Sequence, residues 1–206
     1  MANWKRLSFM LMTALLLTML VQTAVLAGPF EDGKAAFARQ DYKTALKIWR
    51  PLAEKGNAEA QVNLGMMYYE GDGITKNETE SLKWFRKAAD QGNADAQHTV
   101  GLMYESGKGV KQSFDDAFSW YGMAADQGHA KAQEELADCY AAGFGYGGGG
   151  PYNVGAYEWY LISSMAGNKD TAGKLDAVAA KMTPEEIAEA KRFAAAWKPT
   201  PSPSKQ

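Results

Sequence analysis

The 206-residue chain is poor in the residues that build metal and redox centres, with one cysteine and two histidines. One cysteine excludes an intramolecular disulfide and a cysteine-based zinc cluster, and two histidines leave little for a histidine-rich metal site. Lysine and arginine number 22 against 24 aspartates and glutamates, so the basic excess typical of a nucleic-acid binder is missing. Strand-type alternation is absent too, so we expect an all-α protein with no metal, no cofactor and no nucleic-acid partner.

Residues 1–27 differ in composition from everything that follows. Lys5 and Arg6 precede an almost wholly apolar, uncharged stretch, and Val25-Leu26-Ala27 places small residues where a signal peptidase reads. This pattern predicts a secretory signal peptide and a destination outside the cytoplasm. A retained membrane anchor is the alternative, because about 20 apolar residues can span a bilayer. Contact with a membrane would then be limited to this segment.

A 36-residue period organises the rest of the chain. The third repeat is longer, since Trp159 lies 39 residues after Trp120, and we place its three extra residues in the glycine run at 147–150. The period divides the chain into a degenerate half repeat (30–56), three repeats (57–92, 93–128 and 129–167), C-terminal capping helices (170–198) and a disordered tail (199–206). The columns that keep the period are Gly56, Gly92 and Gly128; Ala60, Ala96 and Ala132; Tyr68, Tyr104 and Tyr140; Gly71, Gly107 and Gly143; and Gly73, Gly109 and Gly145.

Each repeat reads as two helices. In the first repeat, apolar residues spaced by three and four predict a helix over 58–70, which Gly71 ends. Asn77 is expected to open the second helix, with Glu80 completing a capping box. The tryptophan and tyrosine columns keep the period and are therefore assigned to the core. Thr183 and the Pro-Glu-Glu that follows it predict a last helix reaching about Trp197.

Two glycines within predicted first helices call for a packing explanation. Gly65 and Gly101 occupy the same slot of successive repeats, where glycine costs about 1 kcal/mol relative to alanine. Ala137 fills that slot in the third repeat. Small residues there predict that the backbone of another helix passes close by.

The residue types that could take part in catalysis or metal binding all have structural explanations here. Cys139 shares its slot with Met67 and Met103, which predicts a buried, unreactive side chain. His129 replaces the asparagines at 57 and 93, which predicts a helix cap. His98 lies in a variable slot and is expected on an exposed or ligand-facing surface. The acidic pairs at 115–116, 134–135 and 185–186 fall in or near the first turns of helices, where the helix dipole favours negative charge. Taken with the cysteine and the histidines, this leads us to predict no catalytic residue.

Two segments carry a family resemblance. The stretch 58–74 reads A-x-A-Q-x-x-L-G-x-M-Y-x-x-G-x-G-I, and 81–93 reads S-L-K-W-F-R-K-A-A-D-Q-G-N. They resemble the Sel-1-like repeat, a relative of the tetratricopeptide repeat, and a second copy starts near Ala96. The third copy departs at Ala137, at the glycine run and at Ser163-Ser164. The resemblance implies a right-handed α-solenoid of stacked helix-turn-helix repeats, a role as a scaffold that binds a protein or peptide, and a periplasmic or secreted location.

Partner contacts are expected at slots that change between repeats. A solenoid presents one helix of each pair along its concave face, and residues there that hold no periodic packing position are free to bind. Exposed aromatic and apolar side chains contribute most to binding. The candidates for partner binding are Met66, Tyr69, Leu102 and Glu105.

Three functional hypotheses follow. The first is an exported, non-catalytic adaptor. The second is an envelope-assembly or polysaccharide-secretion component held at the membrane, which a retained anchor would favour. The third is a cell-wall hydrolase, which would need a Ser/His/carboxylate or metal constellation that His98 and His129 do not supply.

Overall fold

The computed structural model describes residues 28–145 and 152–201. Within these ranges there are no strands, and a short 3-10 turn (Lys169–Thr171) joins two of the helices. The predicted signal segment, the glycine run at 147–150 and the end of the tail lie outside the described residues. The described helices are α1 (Pro29–Ala38), α2 (Tyr42–Glu54), α3 (Ala58–Glu70), α4 (Glu78–Ala89), α5 (Ala94–Ser106), α6 (Phe114–Asp126), α7 (Ala130–Ala142), α8 (Asn153–Met165), α9 (Ala172–Ala179) and α10 (Pro184–Ala196).

The helices pack mainly against their neighbours in sequence. The tightest contacts join α3 to α4, α5 to α6 and α7 to α8, and each pair stacks on the next. At the C-terminal end α9 and α10 both pack against α8. The predicted all-α solenoid is confirmed. None of the helices in the described ranges has both the length and the apolar character that crossing a bilayer requires.

Helix caps follow the repeat register. Asn57, Asn93 and His129 each accept a hydrogen bond from the backbone N–H three residues later, at 2.7, 2.8 and 3.0 Å. The cap predicted for His129 is therefore confirmed, and α3 has the predicted bounds. At α4 the capping box is only half formed. Asn77 accepts from the Glu80 N–H at 3.0 Å, but the Glu80 carboxylate accepts from Lys83 instead.

The C-terminal end departs from the sequence expectation at one point. Thr183 and Glu186 form the predicted capping box, and α10 ends at Ala196 with Trp197 as its C-cap. The tail predicted to be disordered starts at position 199, yet the Thr200 N–H donates to the Asp126 carbonyl at 2.8 Å. The first residues of the tail are thus attached to the end of α6, a contact that spans 74 positions and leaves no local signal.

Both helices of each repeat contribute to the core. First helices contribute Leu64, Val100 and Leu136, and second helices contribute the aromatic rings of Phe85, Tyr121 and Tyr160, all at most 3% exposed. The neighbouring tryptophan column is buried only at its start. Trp84 is buried, whereas Trp120 and Trp159 are half-buried and pack against the buried core, so only the first member of this column is fully enclosed.

Buried glutamines link one repeat to the next. Gln61, Gln97 and Gln133 donate to carbonyl oxygens of the preceding second helix at 2.9, 3.1 and 3.2 Å. The first two also accept from Gln91 and Gln127, at 2.7 and 2.6 Å. In the third repeat Ala166 holds the slot of Gln91 and Gln127, and the Gln133 Oε1 atom has no hydrogen-bond partner among the described residues.

The helical glycines make room for a side chain and not, as predicted, for a backbone. A Cβ atom added at Gly101 would lie 2.5 Å from the ring of Tyr121, and one added at Gly65 would lie 3.1 Å from the ring of Phe85. Each ring belongs to the second helix of the same repeat. The expectation of a close backbone was wrong because the residue that uses the space is a large aromatic 20 positions away.

Gly101→Ala is expected to destabilise the fold by about 1 kcal/mol net. Alanine gains about 1 kcal/mol in helix propensity, but displacing the buried Tyr121 ring costs about 1–3 kcal/mol. Gly122, in the middle of α6, has nothing within 4 Å of an added Cβ. Gly122→Ala should therefore stabilise by about 0.5–1 kcal/mol. Urea unfolding of both variants measures the difference, and the same sign for both would contradict the packing explanation.

Candidate binding groove

An apolar groove opens between helices α3 and α5. It encloses about 580 Å³. The helices supply Met66 and Tyr69 from α3, and Thr99, Leu102 and Glu105 from α5. Further contributions are Glu70, Phe85, Met103, Ser106, Lys108, Gln112 and Phe114. Consecutive repeats therefore form it together, and a single repeat could not.

The floor and walls of the groove differ in exposure. Phe85 and Met103 form a buried floor, at 1% and 2% exposure. Met66 and Leu102 stand on the walls at 44% and 38% exposure, which is high for large apolar side chains. Since their slots are not needed for packing between helices, these two side chains are available to a ligand.

Polar groups close the rim of the groove. The Lys108 ammonium donates a hydrogen bond to the Tyr69 hydroxyl and lies 4.9 Å from the centre of that ring. The Lys76 ammonium also lies near the same ring, at 5.3 Å from its centre. The Tyr69 side chain is thus held in place by two cations. On α5 the Glu105 carboxylate accepts a hydrogen bond from the Tyr121 hydroxyl.

All four residues predicted for partner binding line this one groove. Met66, Tyr69, Leu102 and Glu105 come together because their slots are one period apart on successive first helices. Sequence reasoning missed the loop residues Lys108 and Gln112 and the floor residue Phe85. Lys108 could not be found from the period, because its partner Tyr69 lies 39 positions away in a different slot.

A buried ionic cluster is centred on α7, outside the residues that line the groove. The Glu134 side chain is 3% exposed and accepts hydrogen bonds from Lys131 and Lys174 at 2.7 Å each and from Asn168 at 2.8 Å. Lys174 also binds Asp138 at 2.6 Å. Burial alone would raise the pKa of Glu134, but the hydrogen bonds from the three donors outweigh it and lower the pKa to about 2. The cluster has a structural role, since it joins α7 to the start of α9.

The remaining candidate residues lie apart from the groove. Cys139 is 7% exposed, and burial raises the pKa of its thiol to about 12, so it is an inert core residue as predicted. His98 is not on a ligand-facing surface. It is half-buried against the rings of His129 (4.6 Å) and Tyr121 (5.9 Å), and burial together with His129 and Lys131 lowers its pKa to about 4. In the described ranges, no three His, Cys, Asp or Glu side chains gather in a metal-binding arrangement.

The repeat assignment is decided by comparison with known families. The Sel1 repeat matches four consecutive segments of the chain, at 26–57, 58–93, 94–129 and 130–168. The chain belongs to the Sel1 repeat family. Its Sel1 repeats begin within two residues of the predicted repeat boundaries at 57, 93 and 129.

Solved structures share the architecture. A Sel1 repeat protein from Oxalobacter formigenes is 26% identical, with a TM-score of 0.69 over 81% of this chain and 70% of that one. The protective antigen c5321 of uropathogenic Escherichia coli, which has an SLR fold, is 29% identical, with a TM-score of 0.71 over 87% of this chain. This chain spans 40% of the length of that antigen. No curated protein sequence matches the chain significantly.

Sel1 repeat solenoids generally mediate protein–protein interaction. The groove between α3 and α5 fits that use, because helical repeats form extended binding surfaces from side chains of successive units.

Proposed function

We propose that this Sel1 repeat protein is an exported, non-catalytic adaptor that binds a segment of a partner protein in the α3–α5 groove. One observation carries the proposal: two large apolar side chains, Met66 and Leu102, stand exposed over a buried apolar floor inside a polar rim. Interface hot spots have this arrangement, with an apolar centre and a surrounding ring that excludes water.

Export is supported by the sequence of residues 1–27, with its basic start, its apolar stretch and its small residues at 25 and 27. The non-catalytic role is supported by the structural use of two side chains that could otherwise take part in catalysis. His129 caps a helix through Nδ1, and Cys139 is buried with a raised pKa.

Tyr69→Ala together with Leu102→Ala should weaken the partner complex by about tenfold or more. Leu102→Ala removes an apolar side chain from the groove wall, and Tyr69→Ala removes the aromatic ring at its rim. The measurement is in-cell crosslinking of the tagged full-length protein followed by quantitative mass spectrometry of the captured partner. Tyr69 is half-buried and Leu102 is 38% exposed, so the fold should stay intact.

Met123→Ala is the matched control for this experiment. Met123 is 41% exposed, like Leu102, but lies on the second helix α6 outside the groove. It should leave partner capture unchanged. Equal capture by the folded double variant and the wild type would place the binding site elsewhere on the solenoid.

The second candidate is a membrane-held envelope-assembly or polysaccharide-secretion component, which the apolar stretch within residues 1–27 favours if it is retained. N-terminal sequencing of the mature protein separates the two. A start at Gly28 supports the free adaptor, and a start at or near Met1 supports the anchored form. A cell-wall hydrolase would be revived only by turnover that a single substitution of His98 or His129 abolishes.

A further inference from the structure

The face that carries the groove changes character along the solenoid. The slot of Met66 holds Leu102 in the next repeat and Asp138 in the one after, and the slot of Thr99 holds Glu135. These slots are therefore uncharged on α3 and α5 and carry two carboxylates on α7, of which Asp138 is paired with Lys174 at 2.6 Å and Glu135 is not. Glu105 stands at the border, in the groove lining.

Glu105 lacks a counter-charge within the described part of the chain. Its carboxylate accepts from the Tyr121 hydroxyl, and no described lysine or arginine lies within 4 Å of it. The groove's own lysine, Lys108, is engaged by the hydroxyl and ring of Tyr69. A half-buried carboxylate in this position favours an incoming cation.

Glu135 is also weakly compensated. Its side chain is 20% exposed, and the closest ammonium, that of Lys131, lies at 3.8 Å. That lysine binds Glu134 much more closely, at 2.7 Å. Burial raises the pKa of Glu135; Lys131 opposes the rise, while the carboxylates of Asp138 and Glu105 add to it. Glu105, which lines the groove, and Glu135, on the next first helix, therefore act on each other as like charges.

We infer, resting on the proposed function of the groove, that the partner segment is basic: an apolar side chain packs beside Leu102, and a neighbouring lysine or arginine pairs with Glu105 and Glu135. Charged hydrogen bonds to carboxylates are the strong ones, and arginine can form two at once. An acidic or phosphorylated segment would meet like charge at this border and be rejected.

The test is selection of a random peptide display library on the purified full-length protein. We expect enrichment of lysine or arginine next to leucine, methionine or phenylalanine. A synthetic peptide made from the enriched set should bind about tenfold or more tightly than the same peptide with its basic residues replaced by glutamine. Fluorescence polarisation of both peptides measures this ratio on the wild-type protein, independently of any variant.

The protein variant for the same test is Glu105→Gln with Glu135→Gln. Glutamine keeps an oxygen acceptor for the Tyr121 hydroxyl, so the fold should persist. The ratio between the basic and the glutamine peptide should fall to about one. The matched control is Glu54→Gln with Glu189→Gln, which removes the same charge from exposed positions on α2 and α10 and should keep the ratio.

The outcomes separate this inference from the proposed function. Apolar enrichment that depends on Leu102 but shows no basic preference overturns the basic partner and leaves the groove assignment standing. Binding that Leu102→Ala does not weaken overturns the groove assignment and this inference with it. Self-association of the full-length chain that the charge variant abolishes would place a second copy in the groove, and that also overturns the inference.

Discussion

Gly109→Ala is expected to destabilise the protein by about 3 kcal/mol. Gly109 has a φ of +72°, where an L side chain costs about 1–2 kcal/mol. An added Cβ would also lie 2.3 Å from the carbonyl oxygen of Glu78, the first residue of α4. Because that oxygen belongs to the backbone, the clash can be removed only by shifting α4 within the stack. Overpacking of this kind costs about 1–3 kcal/mol. Chemical denaturation followed by far-UV circular dichroism measures the loss.

The control for Gly109 is Gly56→Ala. Gly56 has a φ of +95° but nothing within 4 Å of an added Cβ, so it should lose only the conformational cost of about 1–2 kcal/mol. Equal losses at the two positions would show that the contact with Glu78 does not limit the packing of one repeat against the previous one. Gly73 makes the equivalent close approach, to Tyr42 in the preceding second helix. The second glycine of each G-x-G therefore serves stacking between repeats.

Lys174→Met is expected to cost about 2 kcal/mol at neutral pH. It leaves the buried Glu134 with Lys131 and Asn168 only, and breaking a buried ion pair by removing one partner is strongly destabilising. Because the folded-state pKa of Glu134 is lowered from 4.5 to about 2, its contribution is full above about pH 4.5 and is lost as the pH falls through about 2. The cost of the substitution should therefore shrink over that range.

Urea unfolding of the wild type and Lys174→Met between neutral and acidic pH measures this convergence. Lys181→Met, at an exposed lysine near the start of α10, is the matched control and should cost little at any pH. A cost for Lys174→Met that stays constant down to acidic pH would assign the effect to packing of its aliphatic stem and not to its charge.

Repeat register made much of the site predictable. The four predicted contact residues lie in one groove because a 36-residue period places equivalent positions of successive helices side by side. Local chemistry was predictable as well, as shown by the caps at Asn57 and His129, which act within three residues of their own position. His98 was misplaced because its neighbours His129 and Tyr121 come from other helices, and the variability of its slot is no measure of burial.

The sequence by itself determined the all-α repeat architecture, the bounds of α3 and the positions that lie side by side on successive first helices, since these depend on periodicity and on contacts within a few residues. Only the tertiary structure decided that aromatic rings fill the space over Gly65 and Gly101, that Thr200 is bound to the end of α6, and that Glu105 lacks a described counter-charge. Each of these depends on which side chains meet across helices. These contacts between helices are determined by three-dimensional packing, which the period of the sequence does not predict.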